Sequence, residues 1–495
     1  MNNSEAMHPA ADALAEGFAP DLFLSDPDLI APLTRDRTGA YTGQPVAVVR
    51  PRSAAELADV VRRCRDLGLG LVPQGGLTGL VGAAVSGDVQ REVVVLLDRM
   101  SAVRTVDPVG FAMVVEAGCV LETAKWAADA QDLLLPITFG SQGSCRVGGV
   151  VATNAGGFNV LRYGMARDLV LGLEVVLPDG RIWDGLRTLR KDNRGYDLKQ
   201  LFVGAEGTLG IVTAVAFKLF PKPTRVETAL VGLRSAEDAV ALYGRARRSC
   251  SDLLSAFELL TRDGLALALE HGPDLLDPLG EPCPVYVLME LAGGGAVDLS
   301  ALLEGLFEAA GDLIMDGTIA QSRAQADRLW LLREAIVAAQ SRSGPYYRTD
   351  ISVPLAAIPA FLEAALARLA AEVPEGRPIA YGHVGDGNIH LNVVPPGLWP
   401  IERRREMFRA AEEVIFRTLD RFGGSISAEH GIGRSKKRAF MERVDPVTLD
   451  LLRAVKGAID PHGTMSKGRI FDMLGDNTDK QDHGPGAVSL LVRHE

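Results

Sequence analysis

Cysteine is scarce in this chain. Five in 495 residues (Cys64, Cys119, Cys145, Cys250 and Cys283) are odd in number, widely scattered and without a C-x-x-C pair. That argues against a disulfide framework or a zinc ribbon and leaves buried, reduced packing residues. Long hydrophobic runs are missing as well. A stretch such as VVVLL at Val93–Leu97 has the length of a core strand and falls far short of the roughly 18 apolar residues a membrane span needs. No basic block offsets the formal net charge of −11, which argues against a nucleic-acid partner, since such partners require a basic face to displace counterions from phosphates. Neither G-x-G-x-x-G nor G-x-x-x-x-G-K-[ST] occurs, which disfavours a nicotinamide-type Rossmann site and a nucleoside triphosphatase. The N-terminus MNNSEAMHPAADALAEGF lacks the cationic and apolar regions of a secretory signal and the Arg-rich, acid-poor character of a transit peptide, so a cytoplasmic chain is expected.

The length itself exceeds what one core can serve and predicts two or three domains. Ser53-Ala-Ala-Glu56 forms a capping box and opens a helix with an apolar face of Leu57, Val60, Val61 and Cys64, stopped at Gly68. A strand over Leu69–Val72 then feeds PQGGLTGLVG. Two more glycine-rich stretches follow, FGSQGSCRVGGVVATNAGGFNVLRYG at Phe139–Gly164 and GAEGTLGIVTAVAFKLFP at Gly204–Pro221, with a hairpin around Asp179-Gly180 between them. PKPTRV at Pro221–Val226 is a linker. Beyond it helices fit Ser235–Ser249, Leu299–Ala310, Arg323–Ser341, Leu355–Glu372, Ile401–Phe422 and Pro446–Ile459, and strands fit Pro284–Leu291, Tyr346–Val353 and YGHVGDGNIHLNV at Tyr381–Val393. This second part is an α+β domain with an antiparallel sheet backed by helices. From Gly475 the chain becomes polar and glycine-containing, as a loosely held tail would be.

Glycines at 75, 76, 79 and 82 free the backbone to turn its N–H groups inward around an anion. A lone loop of this kind is more often only a turn; three in one predicted domain favour a pyrophosphate ligand. In YGHVGDGNIHLNV, a two-residue turn at Asp386-Gly387 would set His383 directly opposite His390, with Asn392 on the same face. Two imidazoles and the Glu429 carboxylate make a two-His-one-carboxylate set, which zinc accepts and for which iron or manganese is nearly as suitable. If SAEHG is extended, Glu429 and His430 face opposite ways and need separate roles. On the helix RLWLLREAIVAAQ, Arg333 borders the apolar face of Leu329, Leu332 and Ile336, where a guanidinium wants an anion.

PQGGLTGLVG, GSQGSCRVGGVVATNAGG…LRYG and GAEGTLGIVT, over roughly Gln44–Lys222, resemble the FAD-binding domain of the vanillyl-alcohol oxidase and p-cresol methylhydroxylase (PCMH) superfamily, and GHVGDGNIH with SAEHGIG resembles its D-2-hydroxyglutarate and D-lactate dehydrogenase branch. The resemblance implies an α+β fold: a two-subdomain, PCMH-type FAD-binding domain at 43–222 and an α+β substrate (cap) and C-terminal domain on an antiparallel sheet at 223–474, between an N-terminal segment 1–42 and the tail 475–495. It assigns FAD binding to Pro73, Gln74, Gly75, Gly76, Leu77, Thr78, Gly79, Leu80, Ser141, Gln142, Gly143, Ser144, Gly148, Gly149, Asn154, Ala155, Gly156, Gly157, Gly207 and Ile211. No histidine lies in these loops, so FAD is expected to be noncovalent. His383, His390 and Glu429 become the ligands of a divalent metal, zinc in the family, and His430 the general base. An Arg at position 333 and a Lys where this chain has Arg348 hold the substrate's distal carboxylate, and Asn392 matches a substrate-contacting Asn. Departures are Val337 for a Thr, Leu77 for a usual Asn, and SKGR at Ser466–Arg469 for an NPGK-like terminus. The expected activity is FAD- and metal-dependent oxidation of an (R)-2-hydroxy acid, D-2-hydroxyglutarate first and D-lactate or D-malate as the alternative. Electrons would pass on to an electron-transferring flavoprotein or a quinone. A homodimer is left open.

Overall fold

The computed structural model describes residues 9–87, 91–295, 297–397 and 399–474; the expected tail lies outside them. The described chain forms two compact units. The first takes the residues up to Gly156, Met165–Pro221 and the chain from Glu429 onward; the second takes Gly157–Gly164 and Lys222–Ala428.

In the first unit, Ser53 caps the helix Ala54–Asp66 by accepting the Glu56 N–H on Oγ (3.1 Å), and the helix buries Leu57, Val60, Val61 and Cys64. Such a cap stabilises by about 1 kcal/mol. Gly68, at φ +65°, ends the turn that follows. A four-stranded sheet runs in the order Phe23–Leu24, Ala47–Val49, Glu92–Leu96, Gly70–Gln74, its last two pairings parallel. Val93, Val94 and Val95 are fully buried, as a parallel strand covered on both faces requires. The second sheet is antiparallel, in the order Val103–Asp107, Ala112–Glu116, Ile211–Lys218, Val170–Val176, Ile182–Asp184, and its last pair turns at Gly180. The chain after Glu429 returns to this unit. Met465 pairs in parallel with Leu71 at the edge of the first sheet, and the helix Pro446–Ile459 carries Lys456, whose Nζ donates to Asp460 and to the carbonyls of Thr208 and Met465. Arg469, in the departing SKGR segment, pairs with Glu92 in the interior (2.6 Å). Sequence reasoning groups 429–474 with the substrate domain, and contacts in the fold group it with the first unit.

The second unit is built on seven antiparallel strands, in the order Ile314–Ile319, Arg225–Leu233, Val285–Gly293, Leu254–Thr261, Arg377–His383, Asn388–Val394, Ile351–Ser352. Its longer helices are Ala236–Cys250, Arg262–His271, Leu299–Ala309, Arg323–Arg342, Ile358–Glu372 and Ile401–Asp420. The expected strand over Tyr346–Val353 is mostly absent. Thr349 Oγ1 bonds both the N–H and the carbonyl of Leu391, and Thr349 N–H donates to Asn392 Oδ1 (2.8 Å), so side chains take the place of the backbone ladder. Among the described residues no helix is long and apolar enough to cross a membrane.

Candidate active site

In the first unit the loop after Gly70–Gln74 forms one wall of a cleft. Gly75, Gly76, Leu77, Thr78, Gly79 and Leu80 line it together with Ser141, Gly149, Ala155 and Gly156, and with Asp36, Arg146, Glu429 and His430. At Gly76 a Cβ would sit 2.0 Å from the Ser144 carbonyl oxygen, so only glycine lets the two loops meet. At Gly79, Gly140 and Gly149 a Cβ would meet nothing within 4 Å, so bare backbone faces open space. Arg146 adds a buried Nε with no hydrogen-bond partner among the described residues. A backbone cradle with a cation at its rim fits a pyrophosphate-bearing cofactor such as FAD.

Pro73, Gln74, Gly148, Gly207 and Ile211 line an adjoining hollow shared with Gly75 and Gly149. Gln142, Gly143, Ser144 and Asn154 line neither space. Gln142 Oε1 accepts from Lys125 Nζ (2.7 Å) and Asn154 Oδ1 from the Arg167 N–H (2.8 Å), which makes both loop braces. Gly157 belongs to the second unit. Leu77, where the family carries Asn, stands at φ +52°, a conformation Asn tolerates and Leu resists.

His430 lines the cofactor cleft, and the loop behind it is gripped by a residue the sequence reading passed over. Glu206 accepts from the N–H groups of Ile432 (2.7 Å) and Gly433 (2.8 Å). Burial pushes its carboxyl up to about 7 against the pull of those two bonds.

In the second unit the histidine hairpin departs from the expected register. Tyr381, not His383, pairs with His390, because Val384–Asp386 form a short 3-10 turn and only Gly387 (φ +85°) takes the left-handed conformation. A two-residue Asp-Gly turn would need positive φ at both positions. His383 is shifted by two residues from the position opposite His390, which preserves its face. The two rings still lie 5.9 Å apart, centroid to centroid. His383 Nδ1 meets Glu258 Oε1 and His390 Nδ1 meets the Thr349 carbonyl (3.2 Å). With acceptors at both Nδ1 atoms, the protons sit there and Nε2 is the basic nitrogen of each ring, the tautomer that suits metal ligation through Nε2. Glu429 follows directly on Ala428, whose N–H donates to the Asp350 carbonyl (3.2 Å).

Arg333 is buried on the helix Arg323–Arg342, as its apolar neighbours implied. Its Nε donates to Glu258 Oε2 (2.9 Å), and its guanidinium lies 4.5 Å from the centre of the Tyr381 ring and 5.6 Å from that of Phe158. Burial alone would raise the Glu258 carboxyl, but His383 and Arg333 outweigh it and hold the group down to about 2. Arg348 Nε donates to the Tyr346 hydroxyl (3.1 Å). Asn392 is fully buried. Its amide donates to Gln340 (2.7 Å) and Tyr381 (3.2 Å) and accepts from Thr349. Glu258 was not among the expected site residues, and its one sequence signal is a lone charge in the strand LSAFELLT.

Comparison with known proteins identifies the family. The FAD binding domain family matches residues 45–185, and the C-terminal domain of the FAD linked oxidases matches residues 222–470. A D-2-hydroxyglutarate dehydrogenase of Bos taurus is 37% identical over 463 residues, covering 92% of this chain and 82% of its own. One of Xanthomonas citri is 37% identical, covering 88% of this chain and 92% of its own. Among solved structures, p-cresol methylhydroxylase superposes with a TM-score of 0.72 at 17% identity, over 94% of this chain and 97% of its own, which speaks for the fold. The relatives of Bos taurus, Danio rerio and Rattus norvegicus are named as mitochondrial, and that overturns the expectation of a cytoplasmic chain. With both halves of the chain matched in order and the relatives covered over 82% and 92% of their own length, the chain belongs to the FAD-linked oxidases, in the branch of the D-2-hydroxyglutarate dehydrogenases, and is an FAD-dependent 2-hydroxy-acid dehydrogenase.

Proposed function

We propose that the substrate is an (R)-2-hydroxy acid with a second carboxylate, D-2-hydroxyglutarate before all others, and that the product is the 2-oxo acid. D-lactate or D-malate is the alternative. One observation carries the reading: Tyr381 of the hairpin has the His390 ring 5.0 Å from it and the guanidinium of Arg333, from the helix Arg323–Arg342, 4.5 Å from it, so groups suited to the two ends of a dicarboxylate meet at one residue. The names of the relatives point the same way.

FAD, when bound in the first unit, supplies the acceptor for the C2 hydride at its N5. His383, His390 and Glu429 would hold a divalent cation, zinc by resemblance, whose charge would steady the C1 carboxylate and the C2 oxygen. His430 takes the C2 hydroxyl proton as general base. Arg333 and Arg348 bind the distal carboxylate and so fix C2–H in one orientation. Asn392 would reach the substrate by exchanging one of its present amide partners. An electron-transferring flavoprotein or a quinone would collect the electrons.

The test is anaerobic bleaching of the flavin by a panel of chiral 2-hydroxy acids, with metal analysis of the same preparation. Rapid bleaching by D-2-hydroxyglutarate, and not by its L-enantiomer, supports the reading. Faster bleaching by D-lactate transfers it to the alternative, and a fully active preparation without metal removes the cation.

A further inference from the structure

Glu258 is the one charged member of the strand Leu254–Thr261 and is 1% exposed. A carboxylate at that depth is unfavourable unless its charge is matched, and apolar residues in place of Glu258 and its partners together would often serve the fold as well. Both of its oxygens are used. Oε1 takes His383 Nδ1, which the sheet register sets directly opposite Glu258, and Oε2 takes Arg333 Nε from the helix at 2.9 Å. One negative charge is therefore divided between two donors that the proposed function gives different tasks.

We infer that Glu258 is a positioning residue that couples cation binding to recognition of the substrate's distal carboxylate. From one side chain it holds the His383 imidazole with its proton on Nδ1, so that Nε2 faces a cation, and it holds the Arg333 guanidinium in place against Tyr381. Because both draw on the same carboxylate, a change at one is felt at the other. Weakening the Arg333 bond leaves more charge for His383 and makes its Nε2 a better ligand. This inference rests on the reading of His383 as a ligand and Arg333 as a substrate contact.

The experiment measures the zinc Kd of the FAD-loaded, substrate-free protein by chelator competition, for wild type, Glu258→Gln, Arg333→Met and the double variant. Glu258→Gln keeps the shape and removes the charge, and should weaken zinc about 10–100-fold, the range for loss of such a partner. Arg333→Met should tighten zinc several-fold in the wild-type background and have less than a twofold effect when Glu258 is already Gln. Zinc affinity unchanged in Glu258→Gln, or an Arg333 effect that persists in the double variant, overturns the coupling. Limited proteolysis and the near-ultraviolet circular dichroism report folding of the second unit, and if Glu258→Gln fails there, Glu258→Asp, with the charge kept and the reach shortened, replaces it with a smaller weakening expected. Should wild type take up no zinc, the metal reading fails by itself. The 15N spectrum of labelled histidines then decides on Glu258: an Nδ1–H tautomer at His383 that is lost in Glu258→Gln sustains the positioning role, and an unchanged tautomer ends it.

Discussion

Arg333 stacks its guanidinium on the ring of Tyr381 at 4.5 Å while its Nε is held by a buried carboxylate. Arg348 differs: among the described residues the Tyr346 hydroxyl is its hydrogen-bond partner, and its charge meets no carboxylate. The two arginines are not equivalent. Arg348 should carry the larger share of the preference for a dicarboxylate, with Arg348→Met costing about 2–5 kcal/mol of transition-state binding for D-2-hydroxyglutarate and little for D-lactate. The ratio of their kcat/KM values, in wild type and in both Met variants, is the measurement. An equal fall for both acids would assign Arg348 to the C1 carboxylate or to the fold.

His430→Asn should retain FAD and slow flavin reduction by about 10²-fold or more, the range for loss of a general base. Stopped-flow reduction under anaerobic conditions reads this directly. A near-native rate would mean that another group takes the proton.

Glu206 predicts a pH dependence of stability. Its carboxyl lies at about 7 in the folded chain against 4.5 for the free side chain. Below 4.5 both folded and unfolded forms are protonated; between 4.5 and 7 the unfolded form ionises first, so stability falls as pH rises. At about 1.4 kcal/mol per pH unit the loss is roughly 3 kcal/mol across the window. Glu206→Gln should flatten this part of the profile of Tm against pH. A variant with the wild-type slope would place the titration elsewhere.

Leu77 bears a left-handed backbone that the family's Asn adopts more readily. Leu77→Asn should therefore raise the stability of the FAD-loaded protein by about 1 kcal/mol, read as a higher Tm. A lower Tm would mean that the half-buried leucine side chain contributes more than its backbone costs.

The parts legible in the sequence were those written in local chemistry. Gly76 and its neighbours announce a backbone cradle because no other residue permits the approach to Ser144. Arg333 announces burial through the spacing of Leu329, Leu332 and Ile336. The hairpin was half legible: alternation fixed the face shared by His383 and His390, while the register depended on whether Asp386 would turn left-handed, and it does not. Glu258 was illegible, since its meaning lies in partners 75 and 125 residues away. Thr349 deceived the strand expectation because its hydroxyl competes with its own backbone for Leu391. Cellular address is no property of folding physics, and its absence of signal was misread as a signal.

The short segment Gly157–Gly164 lies in sequence between two of the cofactor loops, yet it packs with the second unit, where Arg162 donates to the Ala292 carbonyl and Leu161 lies against Gly385. The second unit is thus not one stretch of chain. A fragment cut at Lys222 would lack a piece of its own interior, and during synthesis that piece leaves the ribosome long before the sheet that receives it. Residues 157–164 must wait for their partners, so their docking can come only after the sheet that receives them has been made.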